Sequence, residues 1–278
     1  MLFILTVLAC GGPAEVTTIR DVQIVHVGAS PAELLPGEAT TLTVTVADPQ
    51  GGGVELLAWP CTDLGEGCAE DLGQPVAEWV TVLDPQGEDA TLALVASPLW
   101  TAFLEADTGG LAFDPYAGAW FLACRPGLCA PIDLARAAPA PGSEDDLTLR
   151  TFLHDPTAGM ADLPLDGASL GQRRVPVSDR PAEERNENPE LRLEDDRALS
   201  LAPGGEEELT FGLIDETPDA LQLDGYTSIG TLGPARTDFY APSFTWYAGD
   251  QAGAGRIYVV LRDGEGGSAL WRGDATVE

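Results

Sequence analysis

A mainly β protein, built as two β-sandwiches in tandem, is the fold class this 278-residue sequence predicts. Three observations predict it. The first is the segment Pro36-Gly-Glu-Ala-Thr-Thr-Leu-Thr-Val-Thr-Val-Ala-Asp48, where Leu42, Val44 and Val46 alternate with Thr41, Thr43 and Thr45. Period two gives a strand one apolar and one polar face, the pattern of a half-buried strand. The second is a near-repeat, Pro203-Gly-Gly-Glu-Glu-Glu-Leu-Thr-Phe-Gly-Leu-Ile-Asp215, in which Leu209, Phe211 and Leu213 take the same places. Such self-similarity points to two copies of one fold. The third is composition: 32 Gly and 22 Pro favour turn-rich β structure over long helices, and 44% hydrophobic residues suffice for real cores.

The N-terminus predicts export. Leu2 to Ala9 form an apolar run that ends at Cys10. It is too short to span a bilayer as a helix, which needs about 20 residues, and it reads as the core of a signal peptide over 1–9. Val7-Leu8-Ala9-Cys10 resembles the lipobox of bacterial lipoproteins, with Leu8 standing where a smaller residue is usual and no Arg or Lys before the run. That resemblance implies that Cys10 becomes the lipid-bearing first residue. Gly-Gly-Pro then opens a flexible tether over 10–20.

The first sandwich is predicted over 21–178. Asp21 to Val27 reads as an edge strand, with His26 on its polar, solvated parity. Strands follow at about 40–47 and 54–60, the latter ending in Trp59, a candidate core filler. Glu78-Trp-Val-Thr-Val-Leu83, Asp84-Pro-Gln-Gly87 and Ala90-Thr-Leu-Ala-Leu-Val95 predict a hairpin. Helical insertions are expected over about 97–165. Ser97-Pro98 opens a short helix over 98–106. Ser143-Glu-Asp-Asp146 is a capping-box variant for a helix that runs to about His154 and stops before Pro156. Between these helices Ala117 to Cys124 is apolar throughout, as a buried strand would be, and the domain closes with a strand at Ala168–Val177. Residues 179–189 are charged, hold two prolines and no large apolar side chain, and predict a linker. The second sandwich is expected over 190–278. It ends in a hairpin with Arg256 to Leu261 as one strand, Asp263-Gly-Glu-Gly-Gly267 as the turn, and Ala269-Leu-Trp-Arg opening the other.

Composition also limits function. The net charge is -31, and all 14 basic residues are Arg. Nucleic acid is excluded as a partner, because its phosphates would be repelled, and a bare anionic membrane surface is disfavoured for the same reason. His26 and His154 are the only histidines. CxxC and HExxH spacings, GxGxxG and Walker phosphate loops are absent from the sequence. The chain is therefore read as non-enzymatic, with no metal site and no cofactor assigned. Asp48, Asp263 and Glu144-Asp-Asp146 offer hard oxygen ligands for Ca²⁺, but the DxDxDG loop is missing and Asp-Gly is ordinary turn chemistry.

Taken together these residues resemble two-domain immunoglobulin-like lipoproteins of high-GC Gram-negative bacteria. The lipobox-like start, the Leu-Thr-Val-Thr-Val-Ala-Asp strand and Ala58-Trp59-Pro60-Cys61 carry the likeness. So do Cys124-Arg-Pro-Gly-Leu-Cys129, Met160-Ala-Asp-Leu-Pro-Leu and the terminal hairpin. One departure is Asp224-Gly225-Tyr226, which stands where such second domains often carry a Trp; Tyr226 or Trp246 is expected to fill that core position. The resemblance implies two immunoglobulin-like sandwiches in the cell envelope, held at the outer membrane by an N-terminal lipid. The expected function is a structural or interaction module that meets an envelope protein or a glycan. The alternative is a lipoprotein binding a glycan, a peptide or Ca²⁺ in a pocket at the first-domain insertion, with Trp79, Trp100 or Trp120 in its lining. Export leaves four thiols in an oxidising compartment, with three pairings open. In an immunoglobulin-like sheet the strands ending at Cys61 and Cys124 run antiparallel, which separates these two. Local pairs Cys61–Cys68 and Cys124–Cys129 are the natural choice.

Overall fold

The computed structural model describes residues 17–61, 80–85, 87–98, 100–105, 115–159, 163, 167–195, 197–214 and 221–278. The stretch read as a signal peptide, Cys10, Cys68 and Trp79 lie outside them.

Two immunoglobulin-like β-sandwiches form in tandem. In the first, one sheet has the order β1-β2-β5, from Gln23–Ser30, Ala39–Ala47 and Asp89–Val95. The facing sheet has the order β4-β3-β6-β7, from Thr81–Leu83, Glu55–Cys61, Tyr116–Cys124 and Ala168–Pro176. Leu42, Val44 and Val46 of β2 are buried against Leu56, Ala58, Phe121 and Val175 between the sheets. The alternation in the sequence therefore marks the inner face correctly. Burying one such side chain stabilises by about 1.5–3 kcal/mol relative to exposure.

The second sandwich pairs β12-β14-β10-β8 with β13-β11-β15-β16-β9. The first of these sheets comprises Thr231–Gly233, Ser243–Tyr247, Glu206–Ile214 and Glu190–Leu193; the second comprises Arg236–Asp238, Gln222–Thr227, Gly253–Arg262, Ser268–Val277 and Leu199–Leu201. Strands β2 and β10 are counterparts, each central in its sheet. Each is entered through the same turn. Glu38 N donates to Leu35 O at 3.0 Å, and Gly205 N to Ala202 O at 2.9 Å. Pro sits second in both turns and Gly third, with φ +81° at Gly37 and +73° at Gly204. That conformation suits a type II turn and demands glycine. In the core, Trp246 rather than Tyr226 fills the space, fully buried beside Phe244 and Phe211. Gly225 makes room for Phe244: a Cβ there would lie 2.7 Å from its ring.

Strands β4 and β5 do not form the expected hairpin. Leu83 pairs with Leu56 of β3, and Leu92 with Leu42 of β2, so the chain crosses from one sheet to the other. The free edge of β2 takes β5, which buries Ala90 and Leu94 on the inner face.

The insertions are α1 (Trp100–Glu105), α2 (Ala130–Ala137), α3 (Glu144–His154) and α4 (Pro156–Gly159). The expected start and stop of α3 both hold. The Ser143 hydroxyl accepts from Asp146 N at 3.2 Å, and the helix ends one residue before Asp155. Helix α1 places Trp100 in the sandwich core.

The two sandwiches pack face against face. Val25 and Ala47 of the first meet Tyr258 and Val260 of the second, with Ile19, Tyr226 and Leu270 completing the cluster. Polar bonds surround it. Tyr258 Oη donates to Glu88 Oε1 at 2.8 Å, Arg256 holds the other oxygen of Glu88 at 2.7 Å, and Arg272 pairs with Asp89 at 2.9 Å. His26 is consequently not solvated. It is 9% exposed, and its Nε2 lies 3.0 Å from Ser268 Oγ on the other sandwich. A register shift between Ile24 and His26 interrupts the alternation on which the expectation rested, and the neighbouring sandwich covers the outer face. Within the stretch read as a tether, Thr17 to Arg20 lie on the second sandwich: Thr18 bridges Thr227, and Ile19 N donates to Thr227 O at 2.7 Å.

The stretch read as a linker docks through polar groups. Arg180 grips both oxygens of Glu33 at 2.9 and 2.6 Å, and Asn186 N donates to Glu33 at 2.7 Å. Asn188 joins Ala29 O to Ser268 N, and Asn186 Nδ2 donates to Asp263 at 2.8 Å. Burial pushes the Glu33 carboxyl up, but these donors outweigh it and hold its pKa below the ordinary value.

Candidate functional site

The chain between β6 and β7 builds a third layer over the outer face of the first sandwich. Arg125-Pro-Gly-Leu128 turns at the end of β6, with Gly127 at φ +72°, and the Cys124–Cys129 disulfide closes that turn. Cys129 is the N-cap of α2, and Pro131 lies in its first turn, where a missing N–H leaves no bond unmade. Cys61 is also disulfide-bonded. Its expected partner, Cys68, lies outside the described residues.

Ile132 of α2 and Leu149 and Leu153 of α3 press onto Leu57, Trp59 and Leu122 of the sheet. Trp59 therefore fills this second core and not the space between the sheets. It stacks on Trp120 with centroids 6.5 Å apart, tilts against Phe152 at 6.0 Å, and donates Nε1–H to Leu153 O at 3.3 Å. The alternation of β3 explains the split. Leu56 and Ala58 face the other sheet, while Leu57 and Trp59 face the helices.

Above this core lies an open cleft of about 660 Å³ between α2, α3 and α4. Leu128, Pro131, Leu134, Phe152 and Leu163 give it an apolar lining. Leu128 is 46% exposed. Gly159 is required in its wall, because a Cβ there would stand 2.5 Å from the Phe152 ring. The polar groups at the rim are already engaged. The Thr148 and Thr151 hydroxyls donate to Glu144 O and Leu147 O, each at 2.8 Å. Asp155 accepts from Ala158 N at 3.0 Å and Thr157 Oγ1 at 2.7 Å. Those two bonds, the backbone one first, hold its pKa below the ordinary carboxylate value. The cleft thus offers shape and apolar surface. No histidine or cysteine is among the described residues that line it.

The other groups singled out in the sequence are dispersed. Asp48 accepts from Gly53 N at 2.9 Å and approaches Arg125 at 3.7 Å. Asp146 accepts from Gly142 N at 2.8 Å and Arg150 Nε at 3.0 Å; the backbone bond leads in lowering its pKa. Asp263 is fully buried and accepts from Glu265 N, Gly267 N and Asn186 Nδ2. Each of these carboxylates braces a turn or a helix start, and no two share a site. His154 is exposed at the end of α3. Of the three tryptophans expected around a pocket, Trp100 lies in the sandwich core, Trp120 under the helices, and Trp79 outside the described residues. The cleft residues carry a signal of a kind, since Leu128 lies within a Cys-closed turn and Leu134 within a Pro-started helix. Their convergence needed the packing of α3.

No family model matches the sequence, and no curated protein matches it either. Solved structures align along most of the chain at low similarity. The D0-D1 domain of intimin is 10% identical with a TM-score of 0.25, over 91% of this chain and 98% of that one. The N-terminal Ig1-2 module of the Drosophila receptor protein tyrosine phosphatase DLAR is 7% identical with a TM-score of 0.26, over 93% and 99%. Invasin, a bacterial integrin-binding protein, is 12% identical with a TM-score of 0.23, over 91% and 40%. Scores this low carry no argument, and the immunoglobulin-like fold stands on the strand order described above.

Proposed function

We propose that this chain is a non-enzymatic binding module of the cell envelope, anchored by lipid on Cys10, which meets its partner through the helical layer of the first sandwich. The observation that carries this reading is the open apolar cleft between α2, α3 and α4. Its volume of about 660 Å³ lies within the range of ligand sites, roughly 300–1,000 Å³. Its rim groups are committed to capping and to backbone carbonyls, so recognition there rests on shape and burial of apolar surface, and the ligand is apolar. The Cys124–Cys129 disulfide supports an oxidising compartment, as export requires.

Two measurements test the two halves. Lipid-free protein is used to capture partners from envelope extracts, beside a Leu128→Glu variant. The expected result is a partner retained by the parent and lost with the variant, since a charge at the cleft wall opposes an apolar ligand. Equal capture by both moves the contact surface elsewhere. For the anchor, Cys10→Ala is expressed in a Gram-negative host and should leave the membrane fraction. Retention in that fraction, with no lipid in the intact mass of the parent, removes the lipoprotein reading.

A further inference from the structure

Away from the cleft, the docking of the two sandwiches leaves an open-sided recess of about 190 Å³. His26 of β1, Gly171 and Arg173 of β7, Arg262 of β15 and Ser268 of β16 line it. Two guanidinium groups, an imidazole and a hydroxyl thus converge from both domains. No carboxylate is among the described residues that line the recess.

Arg173 is the informative member. One terminal nitrogen donates to Gly266 O of the second sandwich. Its Nε is buried with no hydrogen-bond partner. Among the described residues no carboxylate oxygen pairs with it, in a chain with 45 acidic residues against 14 basic ones. Arginines elsewhere find acids readily, as Arg150 finds Asp146 and Arg180 finds Glu33. The nearby carboxylates are engaged with other donors. Asp263 takes three N–H groups. Asp224 is shared by Arg262 and Arg236. Asp89 holds Thr45 and Arg272. The Asp263 charge acts on Arg173 without a direct bond to it, and a guanidinium with an unused buried donor is a ready anion ligand.

We infer that this recess binds a compact monovalent anion, a halide or a short carboxylate, held by Arg173 and Arg262 with the Ser268 hydroxyl, and that the anion ties the first sandwich to the second. The size of the recess suits such an ion with a few waters. Because an ion that binds only the docked, folded state stabilises it by mass action, docking becomes dependent on the identity of the anion.

The test uses the full chain. Thermal unfolding is followed while chloride replaces gluconate at constant ionic strength, for the parent and for Arg173→Gln. A saturating upward shift of about 2–4 °C is expected in the parent and none in the variant. Acetate in place of chloride separates the two sources: a larger shift assigns a carboxylate, a smaller one a halide. Parent crystals soaked in bromide provide a readout that needs no variant, with an anomalous peak expected beside Arg173. A bromide peak supports the halide, and shifts that are equal in parent and variant with both chloride and acetate overturn the inference.

Discussion

Strands β6 and β15 are both buried on two faces, but different parts of the chain cover them. On β6, Ala117, Ala119, Phe121 and Ala123 face the opposite sheet, while Trp120, Leu122 and Cys124 lie beneath α2 and α3. The cover is local and sealed by the Cys124–Cys129 bond at its base. On β15, Ile257, Val259 and Leu261 face their own core, while Tyr258 and Val260 lie against Val25 and Ala47 of the other sandwich. This second cover is supplied by strands more than two hundred residues earlier and is held at its margins by ions and hydroxyls. An unbroken apolar run reports burial on both faces of a strand. It does not report whether a neighbouring insertion or a distant domain performs the burial.

The comparison can be broken from the β15 side first. Val260→Asp places an unpaired charge where no water reaches, and it should undock the sandwiches at the largest loss of stability. Calorimetry should show two separate transitions in place of one. A single transition at an unchanged temperature would mean that docking adds nothing. From the β6 side, Trp59→Ala removes the side chain on which the helices rest, and should lower stability by about 3–5 kcal/mol in urea unfolding. A loss below about 1 kcal/mol would show that the helical layer is an ornament on an already stable sandwich.

The docked face also carries a pH dependence in the range where a histidine titrates. Burial first, then the charges of Arg173 and Arg262, lower the pKa of His26 from 6.5 to about 4, while Asp89 opposes them. The folded protein therefore binds fewer protons here than the unfolded chain between these two values. The stabilisation is complete above pH 6.5 and is lost as pH falls toward 4, by about 1.4 kcal/mol per unit. His26→Gln should flatten that part of the stability curve, and an unchanged slope would remove His26 as its source. The smallest expected effect sharpens the comparison further. Tyr258→Phe keeps the buried ring and deletes the donor to Glu88, so about 1.5 kcal/mol should be lost with docking intact. A loss as large as that of Val260→Asp would show that polar bonds, not apolar contact, hold the face.

What was legible in the sequence follows from how local its cause is. The alternation of Leu42, Val44 and Val46 is a property of one strand, and it identifies the inner face. The Ser143 cap and the Pro156 stop act within a few residues, and α3 begins and ends where they place it. The paired Pro-Gly turns before β2 and β10 are equally local. The strand after Asp84 forms where the sequence predicts but pairs elsewhere, because a Pro-Gly turn fixes a change of direction and not the sheet in which the next strand pairs. Trp59 was expected in a core and lies in one, but which core depends on helices ninety residues later. His26 was read from parity, and a bulge together with a distant domain undid the reading. The docking of 179–189 was invisible to a search for apolar residues, because Arg180, Asn186 and Asn188 dock through hydrogen bonds.

The span of the interface in sequence sets an order of events. His26 meets Ser268 across 242 positions, and Ile19 meets Thr227 across a similar distance. A chain emerging from its N-terminus can complete the first sandwich, with its helical layer, before β15 and β16 exist. During that interval Val25 and Ala47 form an uncovered apolar patch on a sheet whose edge strands are open. Closure of contacts this remote is slow compared with local strand pairing, and such patches invite association between copies. The excess of acidic over basic residues, present in the first half of the chain as in the second, then acts in time as well as in solution, keeping half-made copies apart until the last hairpin arrives to cover the patch.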